Sequence, residues 1–498
     1  MSIIKKDYLQ KLIKSLTKNE KKIFTESLNT KSDQKLYLQL FNLINKESNP
    51  TQAQLKKLFD NKANQLAVIK KYLSKLILRS LKSTHQDNTI EQKITNSFLE
   101  IDILSTKDLS DLTESEIDKT IKLCRNSENY TLLLHALDLQ KKLLIKKFGQ
   151  SSESTKKTFN EILEEQNQVI KKIQNLNEYQ KLQANFYDQF HQSSGLNLTV
   201  YTSLHTNPLL TSDKNPLSLS ARLIQAEILY SMHIFRNQNY QEAFASINNV
   251  LKQLELNSQF VTQYPEKYLS LLNQQLQLLL HLKKFTEIPP LLQKIRQSAT
   301  TFKFDFKQEN LLHTTLETIQ LELQLYTETK DFHSAHQLLP QIQKTYQYLL
   351  SPSLKQWKTL LDYEIARLYY FEKNYPATLQ QISLIEQSPH SLRESETLLQ
   401  ALYLSAIIYI QQRNFLALKK LLPKIQSIYT QSRPPQVSEK QFLKLLTNYP
   451  QLLIKSTQHQ QITKQIDTII SSLEKRQNSM LSEIVNWLQN TFLLQSQK

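Results

Sequence analysis

The sequence predicts an all-α protein in which helix follows helix through short turns, and three observations predict it. Only two glycines, Gly149 and Gly195, occur in 498 residues, where roughly 7% glycine is ordinary. Hairpins, phosphate-cradling loops and dinucleotide folds rely on Gly for positive φ or close backbone approach, so those solutions are nearly closed. Segment after segment places apolar residues at helical steps of three and four. Between 217 and 431 one helix-turn-helix pattern returns five times. With Gly so scarce, the helices are expected to join through short Asn-, Asp- and Lys-containing turns, Asn being the usual substitute for Gly at a left-handed C-cap.

The N-terminal segment reads as helices near 6–15, 18–28, 34–46, 52–60 and 65–82. Thr17 with Glu20 and Thr51 with Gln54 have capping-box spacing, in which a hydroxyl and a side-chain acceptor satisfy free amides reciprocally. Along the last helix Leu66, Ile69, Leu73, Leu76 and Ile77 form one apolar face, and Lys71, Lys75, Arg79 and Lys82 fall opposite. Two helices separated by DNKAN, the second with a basic stripe, predict a helix-turn-helix or winged-helix-like domain over 1–85. Residues 1–85 hold 18 Lys and Arg against 6 Asp and Glu, so +12 of the net +17 lies there. The four stripe cations are therefore candidate nucleic-acid contacts. The competing reading is a solvated helix face on a Lys-rich chain.

Residues 86–192 read as amphipathic helices followed by a long bridging helix. Thr113 and Glu116 have capping-box spacing ahead of IDKTIKLC. From 153 to 192 the chain has almost no breakers, and Phe159, Ile162, Val169, Ile173 and Leu176 recur at helical steps. Gln166 and Gln180 interrupt that seam, which favours packing against the protein over a free coiled-coil dimer. Residues 193–216 carry Gly195, Pro208 and Pro216 and read as an irregular connection.

The repeats of 217–431 share a turn with an aromatic residue: Tyr240, Phe285, Phe332, Tyr375 and Phe415. Six residues earlier stand Ile234, Leu279, Tyr326, Tyr369 and Tyr409, and three residues later Ala243, Ile288, Ala335, Thr378 and Leu418. One such helix pair cannot bury its own apolar stripe, whereas stacked neighbours make a continuous core. Beyond SRPPQ at 432–436, Ser438 and Gln441 mark a new helix start, and 432–498 is expected to cap the stack.

These turns resemble those of the tetratricopeptide-repeat family, where an aromatic after the turn is followed three residues on by Ala. A small residue nine before the aromatic lets the paired helices approach; Ala366 and Ala406 keep it, Ser231 nearly does, and Leu276 and Leu323 depart. Spacings of 40 to 47 residues between the aromatics exceed the family's ~34, so the repeats are degenerate and lengthened. The whole chain is also similar to long bacterial proteins known only for such repeats. The resemblance implies a right-handed α-solenoid whose first helices line a concave groove. Its register places Asn273, Gln277, Gln320, Gln324, Tyr363, Arg367, Tyr370 and Tyr403 on that groove. Amides there suit an extended peptide backbone, and Arg367 suits a carboxylate. The competing reading packs the three tyrosines between helices.

No Gly-rich phosphate loop, HExxH helix or nucleophile elbow occurs. His333 and His336 flank Phe332 near Asp331 without a third ligand at fixed spacing. Cys124, the single cysteine, reads as a buried thiol, and Glu394 as the capping partner of Ser391. The longest apolar stretch, 401–410, falls far short of a bilayer span, and the N-terminus lacks the pattern of a secretory signal. The expectation is a cytoplasmic, non-enzymatic scaffold without cofactor or metal, holding a protein or peptide partner. The alternative is a nucleic-acid-binding regulator whose repeats sense a partner.

Overall fold

A computed structural model describes residues 8–29, 35–46, 66–84, 90–147, 153–192, 198–212, 216–234, 239–302, 309–349, 352–388 and 392–431, with scattered positions between 435 and 447. Among the described residues every regular element is helical and no strand occurs. The chain divides into two compact units: Met1–Asn185 with Ser212–Ile224, and Phe186–Thr211 with Gln225–Lys498.

In the first unit, α1 (Tyr8–Ser15), α2 (Lys18–Asn29), α3 (Lys35–Lys46) and α4 (Leu66–Thr84) close on one core. The rings of Phe24 and Phe41 lie 4.9 Å apart. Ile69, Leu73 and Ile77 bury the apolar face predicted for α4. The Thr17 capping box forms as expected: the Thr17 amide donates to Glu20 Oε2 at 2.7 Å and the Glu20 amide to Thr17 Oγ1 at 3.2 Å. The expected helix at 52–60, its Thr51 box and the DNKAN turn lie outside the described residues.

A second core in this unit joins α5 (Ile90–Thr106), α6 (Ser110–Asn126), α7 (Tyr130–Lys147) and the 40-residue α8 (Glu153–Gln192). Ile162 and Val169 of α8 pack into it with Ile117, Leu133 and Leu137. The Thr113 capping box does not form, because the chain reverses at Asp108 (φ 55°) and α6 starts at Ser110. Thr113 therefore sits inside the helix, where its buried hydroxyl donates to the Leu109 carbonyl at 2.8 Å. Glu128 caps α10 (Leu219–Met232) from a distance, its carboxylate accepting the Leu219 and Ser220 amides at 2.8 and 2.9 Å. Negative charge is stabilising at that helix end.

The second unit corrects the expected irregular connection, since Leu198–His205 forms helix α9 with Leu204 buried. Gly195 and Pro208 punctuate its flanks, and the residues between them contain no breaker. Then follow α11 (Tyr240–Glu255), α12 (Ser258–Gln263) and four helix pairs: α13 (Pro265–His281) with α14 (Ile288–Thr301), α15 (Glu309–Glu328) with α16 (Phe332–Thr345), α17 (Pro352–Phe371) with α18 (Tyr375–Glu386), and α19 (Leu392–Gln411) with α20 (Phe415–Gln431). The first helices α13, α15, α17 and α19 each pack on the next, and every second helix lies against its own partner. Ala243, Ile288, Ala335, Thr378 and Leu418, three residues after the aromatics, are at most 1% exposed. Leu276, Leu323, Ala366 and Ala406, nine before, are fully buried. Phe442, Leu443 and Leu446 join the core of α19 and α20; the Ser438–Gln441 cap and 451–498 lie outside the described residues.

The interhelix turns contain the expected Lys, Asn and Asp and follow one plan, in which Asn does not take the left-handed position. The left-handed residue is Lys283, Lys330, Lys373 or Arg413, with φ between 54° and 63°, rather than Asn. The amide after it donates to the carbonyl five residues back, as from Asn374 to Tyr369 at 2.9 Å and from Asn414 to Tyr409 at 2.8 Å. In three of the four turns Asn or Asp occupies that next position, where the side chain also caps the following helix: Asp331 accepts the Ser334 amide, Asn374 that of Ala377 and Asn414 that of Ala417, whereas Lys284 makes no such cap. One Asx residue thus ends a helix with its backbone and starts another with its side chain. The same plan recurs in the first unit at Glu128-Asn129-Tyr130, where Leu133 three residues on is 1% exposed.

Candidate partner-binding site

The inner helices of the second unit are covered on most sides; residues 401–408 of α19 are all buried. Polar side chains on such helices must find partners within the protein, and here they find them on the neighbouring inner helix. Tyr230 on α10 donates to Gln277 Oε1 on α13 at 2.7 Å. Asn273, wholly buried, donates to the Thr314 carbonyl at 2.7 Å and to Glu317 at 3.0 Å, and accepts from the Thr318 hydroxyl at 2.7 Å. Gln320 on α15 donates to Glu364 on α17 at 3.2 Å, and Gln411 on α19 to the Tyr370 hydroxyl at 3.2 Å.

The eight residues singled out from the repeats therefore divide into two groups. Asn273, Tyr363 and Tyr403 are enclosed, and Tyr403 shares a 2.6 Å hydroxyl contact with buried Tyr429 and an edge-on contact with Phe442. Gln277, Gln320, Gln324, Arg367 and Tyr370 are partly exposed. Arg367 donates to Glu364 Oε2 at 2.6 Å, and Gln324 to Glu328 at 2.8 Å. Burial raises the Glu317 carboxyl above the usual range, with the Asn273 hydrogen bond opposing. Glu364, missed from sequence, was legible as the residue three before Arg367 on one helix face.

Elsewhere, Lys71, Lys75, Arg79 and Lys82 are all exposed on α4. Cys124 is fully buried, and burial pushes its thiol up to about 12. His336 meets Glu372 at 2.7 Å while His333 meets Gln337, so the two rings serve different neighbours. Among the described residues no three metal-binding side chains cluster, and no helix is long and apolar enough to cross a membrane. Sequence reasoning also missed a cleft of about 530 Å³ in the first unit, between α6, α7 and α8. Its carboxylates have partners within the cleft: Arg125 grips Glu165 at 2.7 Å, and the Gln140 amide donates to Asp118 at 3.0 Å. Burial first, then Glu114, raises the Asp118 carboxyl.

Against known proteins the chain stands apart: no family model, no curated protein and no solved structure matches it.

Proposed function

We propose that the chain is a non-enzymatic interaction scaffold of the cytoplasm, in which 217–431 forms a right-handed, tetratricopeptide-like solenoid and an extended protein or peptide segment lies across its inner helices. The supporting observation is the recurrence of partly exposed polar side chains on successive inner helices: Gln277 on α13, Gln320 and Gln324 on α15, Arg367 and Tyr370 on α17. Asn273, Tyr363 and Tyr403 hold helices together in this reading, and the partner meets the other five.

Selection of peptides from a random library on the full chain, followed by calorimetry, tests this. The expected peptides lose roughly tenfold or more in affinity, about 1.4 kcal/mol, on Gln320→Ala with Gln324→Ala, and on Arg367→Ala. Lys419→Ala, on the outer surface of α20, leaves affinity unchanged. Binders indifferent to all the inner-helix changes would place the partner elsewhere.

A further inference from the structure

We infer that the outward face of α4 docks onto the phosphate backbone of duplex DNA. Lys71, Lys75, Arg79 and Lys82 are exposed at steps of four, four and three residues, which makes one stripe. At ~1.5 Å per residue the row is about 16 Å long. It is fixed in place, because Ile69, Leu73 and Ile77 on the opposite side are locked into the core of the first four helices.

The stripe is unbalanced. None of its four cations has an ion pair or hydrogen bond to any other side chain among the described residues. The described parts of α1 to α4 contain twelve Lys and Arg and only two carboxylates. Glu20 is taken up by the Thr17 capping box, and Glu26 lies 4.0 Å from Lys22. A merely solvated helix face gains from carboxylates four residues away, whereas Lys71–Lys75 and Lys75–Arg79 are like-charge pairs at that spacing, which repel. A polyanion relieves that repulsion. Tyr72 beside the cations is 41% exposed and packs its ring against Tyr37 at 5.0 Å.

Duplex DNA fits better than a membrane. An amphipathic helix enters a bilayer through a continuous apolar face; the main apolar face of α4 is inside the protein core, and Val68 and Leu78, exposed among the cations, make no such face. Duplex DNA carries a charge every ~1.7 Å, and its major groove, about 12 Å wide, admits a helix, whereas the A-form groove of duplex RNA is too narrow. Contacts to phosphates carry no sequence information, so the binding is sequence-independent.

The test is fluorescence anisotropy of the full chain with a labelled duplex between about 50 and 200 mM salt. Four phosphate contacts predict a log–log slope of affinity against salt of about −3.5. Lys71→Glu with Lys75→Glu should weaken binding by roughly tenfold or more and flatten the slope by about two units. Lys419→Glu with Lys420→Glu on α20 makes the same charge change and should stay within about twofold. If the first variant loses helical circular dichroism, Lys71→Gln with Lys75→Gln must show the same direction. The inference is overturned by the absence of a salt-sensitive complex, by equal losses from the α4 and α20 variants, or by capture on anionic phospholipid vesicles or an acidic protein with duplex DNA left unbound.

Discussion

The outer helices of the second unit bury a single stripe, whereas the inner helices are enclosed nearly all round. On α20 the buried residues are Leu418, Leu421, Ile425 and Tyr429, at three- and four-residue steps; on α19 every residue from 401 to 408 is buried. An outer helix packs on its own partner and, for α16 and α18, on the next inner helix, and leaves the rest of its surface to solvent, so one apolar stripe suffices. An inner helix has neighbours on several sides, so its polar groups need hydrogen-bond partners there. A polar residue on an inner helix is thus first a structural tie, and its outward remainder is what a ligand can meet.

Core truncation breaks this comparison most directly. Leu323→Ala on α15, at a fully buried position, should cost about 2–5 kcal/mol. Leu416→Ala on α20, 68% exposed, should cost less than about 0.5 kcal/mol. Denaturant unfolding measures both, and similar costs would erase the distinction between the two sets of helices. Next in size is Asn273→Ala, which strips hydrogen bonds from Thr314, Glu317 and Thr318. Groups left unsatisfied in a closed interface cost about 1–3 kcal/mol. A loss below about 0.5 kcal/mol would mean that Asn273 does not tie α13 to α15.

These ties explain what the sequence could convey. Apolar periodicity revealed the helices and the turn aromatics revealed the repeats, because burial on one stripe leaves a local signature. The exposure of the α4 cations was legible for the same reason: Leu73 and Ile77 fix which way Lys71 and Lys75 face. The inner-helix partners were not legible, since Asn273 meets Thr318 across 45 residues and Gln320 meets Glu364 across 44. Periodicity within one helix carries no information about the next. The Thr113 box failed similarly: its spacing was right, but the Asp108 turn had already started the helix.

A pH series sharpens the same contrast. Because burial raises the Glu317 carboxyl, the unfolded chain releases that proton first as pH rises. The group's contribution to stability is therefore present below the ordinary carboxylate range and lost as pH climbs through its raised folded value. Glu317→Gln removes the effect, so the variant should gain on the parent protein in Tm between about pH 4 and pH 7. A Tm difference that stays flat with pH would show that Glu317 titrates as if exposed.

The smallest expected effect concerns the turns that join inner to outer helices. Lys373 stands at φ 63°, where a side chain with Cβ is strained by roughly 1–2 kcal/mol and Gly is not. Gly also gives the unfolded chain more freedom, which offsets about 0.4–1 kcal/mol of that relief. Lys373→Gly should therefore stabilise by somewhat under about 1 kcal/mol. Asn374→Ala, which removes the cap on Ala377 beside it, should destabilise by about 1 kcal/mol. Opposite signs from adjacent residues would show that backbone conformation is decided at one position and side-chain capping at the next. If Lys373→Gly destabilises instead, the lysine side chain makes a contribution larger than its strain.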